Sequence, residues 1–337
     1  MKLNNHHRIF NEVVLGVDGG STKTHMAVAE KGGRLLAFEG GPGTNHEGLG
    51  YPRCAAVLRK MFSRACRRAG IRAGDIKTAC FGMCGGDLPE DFREIRDRMA
   101  LPMGLKCPVK VHNDAFLPIY NDGWRERGVG ITCGGWHKWV GVKGGLWFMQ
   151  EGRLHPGLRH LAIEEIFMVY EGFTPPSGFA AGLARWLGFT GVNDFMLRRH
   201  YGGGKRPFIR PAPKDGGRML HIPQYVGRAA ARGSKGALRV LDRYAAFSAE
   251  GVGAVARRLG LSGRPFDVIL SGSIHAGIPA LRRAVRRRLR AVEPRANVIP
   301  ARFLPVRGAL VWAAHAAWGG LPKGALMERV LRYGLPK

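Results

Sequence analysis

One short stretch, residues 16–24 with the sequence GVDGGSTKT, most constrains how this chain can fold. It lies between two apolar runs, residues 13–17 and 26–29, that are rich in strand-forming residues. Two such runs joined by a glycine-rich turn predict a tight β-hairpin. The glycines let backbone N–H groups approach an anion closely. The alternative is an ordinary hairpin with one exposed carboxylate, Asp18, because short glycine-rich motifs are weak signals.

The side chains of this hairpin suit a phosphate and its metal ion. Thr22 and Lys23 could donate hydrogen bonds to an anion. Asp18 follows an apolar strand, where a carboxylate can hold Mg²⁺ directly or through water. Binding of a phosphate together with Mg²⁺ is therefore the first functional hypothesis.

The order of the predicted elements occurs twice along the chain. A third strand at residues 34–39 completes an antiparallel meander, and strands at 76–83 and 109–111 follow, each after a helix. A second meander of three short strands begins at residue 129, and a long helix, residues 235–259, precedes another buried strand. The pattern predicts an internal repeat and an α/β fold. Short helices are also predicted at residues 115–120, 306–318 and 327–333.

Composition excludes several classes of protein. No apolar run approaches the roughly 20 residues of a membrane span, and the N-terminus lacks the apolar core of a signal peptide. We therefore expect a cytoplasmic protein with no membrane partner. The six cysteines form no CxxC pair and no zinc spacing, which favours buried, reduced thiols. An iron–sulfur cluster shared between two subunits is the alternative.

The net charge of +28 favours anionic partners such as nucleotides and phosphosugars. Its densest patch, residues 282–290, carries arginines at helical spacing opposite an apolar face. No aromatic residues alternate with these arginines as they would for stacking on single-stranded nucleic acid, so we do not expect nucleic-acid binding. The alternative is a bias toward arginine on solvated faces. The basic, glycine-rich stretch at residues 202–217 is interpreted either as a phosphate grip or as a surface loop.

Taken in order, the motifs resemble the actin-like ATPase superfamily, and most closely its BadF/BadG/BcrA/BcrD ATPase family, which includes the N-acetylglucosamine kinases. The resemblance lies in the first hairpin, in Asn45 after a Pro-Gly-Thr, in Asn113-Asp114 after a strand, and in the turn 271–273. It implies two actin-like (ribonuclease H-like) domains with mixed five-stranded sheets flanked by helices, and a cleft between them.

The resemblance also implies a division of the chain. We expect an N-terminal domain at residues 1–115, with a C-terminal helix at 322–337 packed back on it. Residues 116–321 are expected to form the second domain, which carries a helical insertion. We also expect a homodimer.

In that family, the first hairpin wraps the phosphates of ATP and its aspartate acts on Mg²⁺ through water. The resemblance therefore implies Asp18 as the metal residue and an ATP-binding set made of Asp18, Gly19, Gly20, Ser21, Thr22, Lys23, Thr132, Gly134, Gly135, Gly272 and Ser273. Asp114 corresponds to the general base that takes the proton from the accepting hydroxyl. The alternative for Asp114 is a helix N-cap. The substrate-binding residues implied are Asn45, Asn113 and Asp114.

Two stretches depart from the family's pattern. The second phosphate loop is usually Ser/Ala-Gly-Thr-Gly-Ser, whereas here Gly134 stands in place of the threonine and Trp136 in place of the last serine. The family's Gly-Asp-Glu-Gly-Ser segment has no counterpart after residue 140. Glu164 or Glu165 could replace its carboxylate, or both could lie on a helix surface.

The leading hypothesis is an ATP-dependent kinase that uses Mg²⁺ to phosphorylate a hydroxyl of a sugar or amino sugar. One alternative is an ATPase activator that drives electrons into a dehydratase or reductase through a cluster. The other is a non-catalytic relative that binds a nucleotide or sugar, for which the altered loop at residues 132–136 is the reason.

Overall fold

The computed structural model divides into two compact units, the first formed by residues 12–126 and 301–332 and the second by residues 127–300. Its description covers residues 12–133, 137–151, 157–198, 217–326 and 328–332. The strands are β1 (Val13–Gly19), β2 (Lys23–Glu30), β3 (Leu35–Pro42), β4 (Ile76–Met83), β5 (Val109–His112), β6 (Arg127–Cys133), β7 (His137–Lys143), β8 (Leu146–Glu151), β9 (Phe266–Ser271) and β10 (Ala296–Pro300).

Helices flank both sheets. The α-helices are α1 (His46–Leu49), α2 (Tyr51–Ala69), α3 (Pro89–Ile95), α4 (Leu158–Tyr170), α5 (Gly178–Trp186), α6 (Val192–Met196), α7 (Ile222–Ala231), α8 (Lys235–Arg258), α9 (Ser273–Gly277), α10 (Pro279–Val292) and α11 (Pro305–Trp318). Shorter turns of 3₁₀ helix lie at Ala73–Asp75, Leu101–Met103, Asp114–Tyr120, Arg218–His221 and Arg329–Leu331, and a π-helical turn lies at Arg96–Ala100.

The two sheets have the same topology. The first has the order β3-β2-β1-β4-β5 and the second the order β10-β9-β6-β7-β8. In each, three strands form an antiparallel meander, and the first strand of the meander pairs in parallel with a later strand. The predicted hairpin, the internal repeat and the two mixed five-stranded sheets flanked by helices are therefore confirmed.

The alternation of side chains along β1 explains which helix covers each face of the first sheet. Along β1, Leu15 and Val17 point to one face and pack with α2, whereas Val14 points to the other face. That second face is covered by α11, whose apolar residues include Ala309 and Leu310. Both faces of β1 are buried, which is why its sequence is an unbroken apolar run.

The packing of α11 explains why the units begin and end at different residues from those predicted. The sequence-based boundaries were 115/116 and 321/322, whereas the chain leaves the first unit after Glu126 and returns to it at Ala301. Residues 305–318 bury their apolar face on the first sheet, so they belong to the first unit. This was not evident from the sequence because an apolar helix does not show which sheet it covers.

Two predicted helices differ in the structure. Residues 114–120 form a 3₁₀ helix rather than an α-helix, and Pro118 within it lacks the N–H that an α-helix needs. Of the predicted helix 327–333, the described residues form one 3₁₀ turn, Arg329–Leu331, and Leu331 is buried in the first unit.

Two further observations concern membranes and thiols. Among the described residues, no helix combines the length and the apolar character needed to cross a bilayer. None of the six cysteines, all of which lie among the described residues, forms a disulfide. Burial raises the pKa of the Cys133 thiol to about 12.

Candidate functional site

Most of the predicted site residues of the first unit lie at one edge of its sheet. Strands β1, β4 and β5 are parallel, and β3 runs in the same direction because two antiparallel pairings separate it from β1. The carboxyl ends of these strands therefore meet at one edge, which is where open α/β sheets bind ligands. The loops that follow them hold the hairpin turn, Asn45, residues 84–88 and Asp114.

The hairpin turn is held by backbone hydrogen bonds to its neighbours. The N–H of Gly20 donates to the carbonyl of Lys23 (3.0 Å) and closes the turn. The carbonyl of Gly20 accepts from Thr44 N–H (3.0 Å). Ser21, Thr22 and Lys23 are exposed, and the N–H groups of Ser21 and Thr22 have no hydrogen-bond acceptor within the described part of the chain. This leaves donors for a phosphate.

Gly43 lets the β3–α1 loop pass directly beside this turn. A Cβ at Gly43 would lie 2.1 Å from the Ser21 carbonyl oxygen and 3.0 Å from that of Gly20. Both contacts are to backbone atoms, so no side-chain movement could relieve them. The two loops therefore pack backbone against backbone.

Asp18 has the properties expected of a residue that binds a cation. Only 8% of its surface is exposed, and no hydrogen bond to its carboxylate is found among the described residues. Among the described residues its one ion-pair partner is His25, the facing residue on β2, whose Nδ1 lies 3.6 Å from Asp18 Oδ2 and which carries a charge only when protonated. A nearly buried carboxylate that accepts no hydrogen bond has lost much of its hydration, and this loss costs free energy. A bound cation would offset that cost.

Mg²⁺ fits Asp18 only if a phosphate provides further ligands. Within the described residues there is no group of three or more His, Cys, Asp or Glu side chains that could hold a metal ion. Mg²⁺ is usually held by one or two carboxylates together with substrate phosphates and water. Asp18 beside the hairpin donors is a donor set of that kind.

Asn45 connects the hairpin turn to α1. It is the N-cap of α1, where its Oδ1 accepts from Glu47 N–H (3.1 Å). Its Nδ2 donates to the Ser21 hydroxyl (3.4 Å). The predicted role of Asn45 in substrate binding stays a prediction.

Asn113, not Asp114, caps the helix that follows β5. The Oδ1 of Asn113 accepts from Ala115 N–H (3.0 Å), and Asn113 is fully buried. Asp114 is the first residue of the 3₁₀ helix and is half-buried. The N-cap alternative for Asp114 is therefore wrong, because the preceding residue takes that position.

The sequence interpretation missed Asp87. This residue lies in the loop after β4, and its Oδ1 accepts a hydrogen bond from Asn113 Nδ2 (2.6 Å). A carboxylate that follows Gly85-Gly86 at the end of a buried strand was the available signal. His25, which faces Asp18, was also missed, and the hairpin register would have identified it.

In the second unit, three of the predicted ATP-binding positions are described. Thr132 pairs with Ser271 where the parallel strands β6 and β9 end, and Gly272 and Ser273 follow. The Thr132 hydroxyl oxygen is buried and has no hydrogen-bond partner among the described residues. Such an atom fits a ligand acceptor or donor. Gly134 and Gly135 lie outside the described residues, as do Trp136 and nearly all of the basic stretch at 202–217.

Gly272 brings the ends of β6 and β9 together. It has a φ of +95°, which favours glycine, and a Cβ there would lie 2.0 Å from the Cys133 carbonyl oxygen.

The two glutamates of α4 differ in burial and in partner. Glu165 is 1% exposed and accepts a hydrogen bond from Arg239, and Glu164 pairs with Arg243. The alternative that both glutamates lie on a helix surface is therefore wrong for Glu165.

Two buried histidines make the protein sensitive to acid. Burial lowers the pKa of His112 and of His275 to about 4, and repulsion by Arg282 adds to the effect at His275. The ordinary value is 6.5, so between pH 6.5 and about 4 the unfolded chain binds protons that the folded chain does not. The contribution of these two neutral histidines to the free energy of unfolding is therefore fully present above pH 6.5 and is lost as the pH falls toward 4. The expected loss is on the order of 3 kcal/mol per histidine.

Urea unfolding of the wild type and of His275→Leu across this pH range checks this prediction. The ring nitrogens of His275 have no hydrogen-bond partner among the described residues, so leucine removes the titration without removing a bond. We expect His275→Leu to reduce the dependence of the unfolding free energy on pH, and the remaining dependence includes the contribution of His112. His221→Leu, which replaces an exposed imidazole, is the control and keeps the slope. Equal slopes in all three proteins would contradict the prediction.

Comparison with known proteins places this geometry in context. Residues 15–146 match the sequence model of the BadF/BadG/BcrA/BcrD ATPase family, which confirms the predicted resemblance over those residues. The N-acetyl-D-glucosamine kinase of Dictyostelium discoideum is 26% identical over 132 residues, or 36% of this chain and 41% of that protein. The N-acetylmuramic acid/N-acetylglucosamine kinase of Clostridium acetobutylicum is 26% identical over 123 residues, or 36% of this chain and 39% of that protein. The matches therefore span about two fifths of the length of these relatives.

A solved structure extends the likeness to both units. The ROK family glucokinase from Streptomyces griseus, solved in complex with glucose and AMPPNP, aligns with 91% of this chain and 100% of its own at a TM-score of 0.54. Sequence identity is 17%, so this likeness concerns the fold alone. It agrees with the two mixed five-stranded sheets described above.

Proposed function

We propose that this chain is an ATP-dependent kinase that transfers a phosphoryl group to a hydroxyl of a sugar or amino sugar. The observation that carries the proposal is the edge of the first sheet, where exposed hairpin donors, the under-compensated Asp18 and the half-buried Asp114 follow parallel strands. The curated relatives named above are kinases of amino sugars, which supports this acceptor class.

The hairpin and Asp18 are proposed to position the phosphates. Phosphoryl transfer depends on alignment and charge neutralisation more than on covalent chemistry by the protein. The N–H groups of Ser21 and Thr22 and the ammonium group of Lys23 donate to phosphate oxygens. Mg²⁺, when bound, neutralises charge on those oxygens, and Asp18 orients it. Thr132, Gly272 and Ser273 are the proposed ATP ligands of the second unit.

Asp114 is proposed as the general base. Its carboxylate takes the proton of the acceptor hydroxyl while that oxygen forms a bond to the γ-phosphorus, and the bond from the γ-phosphorus to the β–γ bridging oxygen breaks. ADP leaves with the electron pair of that bond. A carboxylate in this position raises the rate by typically 10²–10⁴-fold. Asn45 is proposed to orient the sugar from the neighbouring loop. Homodimer formation and a cytoplasmic location stay predictions.

The test measures ADP release from ATP and Mg²⁺ against a panel of hexoses and amino sugars. We expect turnover with at least one of these acceptors and none without an acceptor beyond slow ATP hydrolysis. Calorimetry of ATP binding accompanies the assay. ATP binding without phosphoryl transfer to any acceptor would instead support the non-catalytic alternative, for which the altered loop at residues 132–136 is the motivating feature.

A further inference from the structure

The carboxylate of Asp87 is in direct contact with the residue that precedes the proposed base. Asn113 Nδ2 donates to Asp87 Oδ1 at 2.6 Å, although the two residues are 26 apart in sequence. Asn113 is fully buried, so its amide has little access to water as an alternative partner, whereas Asp87 is half-buried. Hydrogen bonds to an ionised acceptor are short and about twice as strong as neutral ones. Asp87 is thus a strong attachment point for Asn113.

Every polar group of Asn113 has a partner. Its backbone N–H donates to His112 Nδ1 (3.0 Å), and its carbonyl accepts from Phe116 N–H (3.2 Å). Its Oδ1 accepts from Ala115 N–H (3.0 Å). Its side-chain Nδ2 donates to Asp87, which is the partner that lies far away in the sequence. It therefore ties the start of the Asp114 helix to the neighbouring loop.

The loop that carries Asp87 is itself anchored. The backbone N–H groups of Asp87 and Leu88 both donate to Asp91 Oδ2 (3.0 and 2.8 Å), at the start of α3. The N–H of Gly86 donates to the Met83 carbonyl at the end of β4 (3.1 Å). The Asp87 backbone is therefore fixed to both β4 and α3, so its carboxylate is held by a well-connected loop.

We propose that Asp87 is a positioning residue that acts through Asn113 to hold Asp114 in line with the acceptor hydroxyl. This inference rests on the proposed function. Asp87 is not required to touch the sugar or ATP. Its loss lets the first turn of the 3₁₀ helix shift, and misplacement of a reacting group by about 1 Å can cost about 100-fold in rate. The effect falls on kcat, because the hairpin that positions ATP is held by other contacts.

The first experiment compares Asp87→Ala with Asp87→Asn in the full-length protein. Asp87→Ala is expected to lower kcat by about 10- to 100-fold while the KM for ATP stays within about twofold. Asp87→Asn keeps an oxygen that accepts from Asn113, so it is expected to recover most of that kcat. Asp97→Ala, which removes an exposed carboxylate from the same unit, is the matched control. A purely structural role would lower the amount of folded Asp87→Ala protein but leave the kcat of the folded molecules unchanged, which would contradict the positioning role.

A swap of the two side chains covers the case in which Asp87→Ala does not fold. Asn113→Asp places two carboxylates against each other and is expected to lower kcat about as much as Asp87→Ala. The double variant Asp87→Asn/Asn113→Asp restores an amide–carboxylate bond with reversed polarity, and the new carboxylate at position 113 can still accept from Ala115 N–H. We expect kcat to recover at least about tenfold over the single Asn113→Asp variant.

The outcomes separate this inference from the function on which it rests. An active wild type whose kcat survives Asp87→Ala, or whose swap recovers nothing over Asn113→Asp, overturns the role of Asp87 and leaves the kinase function standing. A wild type that phosphorylates no acceptor overturns the proposed function, and the positioning role with it.

Discussion

Asp114→Asn is expected to lower kcat for sugar phosphorylation by about 10³-fold, with ATP affinity unchanged. Asparagine has nearly the same shape as aspartate but cannot accept the hydroxyl proton, and removal of a general base typically costs 10²–10⁴-fold. Asn113 rather than Asp114 caps the helix, so the substitution leaves the cap intact. Steady-state kinetics with the best acceptor and calorimetry with ATP measure the two quantities.

The control for this experiment is Asp97→Asn, which changes an exposed carboxylate in the same unit. It should leave kcat within about twofold of the wild type, because exposed ion pairs of this kind contribute little. A pH profile adds a second readout, since the acid limb of kcat that reflects the base should disappear with Asp114. Full turnover by Asp114→Asn would contradict the assignment of Asp114 as the base.

Gly43→Ala is expected to lower the free energy of unfolding by about 3 kcal/mol and to weaken ATP binding at least tenfold. The added methyl group would lie 2.1 Å from the Ser21 carbonyl oxygen, so one of the two backbones must move. Overpacking of this kind costs typically 1–3 kcal/mol. The hairpin turn carries the proposed phosphate donors, so its displacement also weakens the grip on ATP. Urea unfolding and calorimetry with ATP measure the two effects.

Gly40→Ala is the matched control for this substitution. Gly40 lies three residues earlier in β3, and a Cβ there would have no atom within 4 Å. We expect the control to keep both the unfolding free energy and the ATP affinity close to the wild type. If Gly43→Ala behaves like Gly40→Ala in both assays, the backbone contact between the two loops is not needed for phosphate binding.

Some features of the site follow from local sequence. The hairpin at residues 13–30 was predictable because the apolar runs and the glycine turn act over neighbouring residues. Helix α10 was predictable because its apolar positions recur at helical spacing and its arginines fall on the opposite face. The placement of Asp18 and Asp114 at the same sheet edge follows from parallel strands whose ends are marked in the sequence.

Other features depend on contacts between distant segments. A sequence pattern does not show that Asn113 takes the cap and bonds to Asp87, because both residue types suit either role. The 3₁₀ form of residues 114–120 likewise depends on where Pro118 falls relative to β5. The packing of α11 on the first sheet decides where the unit boundary falls. That packing joins residues that are far apart in the chain.

The sequence by itself therefore determined the strands, the hairpin turn and the order in which the carboxylates follow the sheet, because period, burial and glycine content are local properties. Only the tertiary structure decided which loops touch, which residue caps the Asp114 helix and which carboxylate supports it. Those choices depend on hydrogen bonds closed across 20 or more residues, such as Thr24 to Thr44 and Asp87 to Asn113. Such bonds form only once the sheet has brought its loops to one edge, and no local preference specifies them.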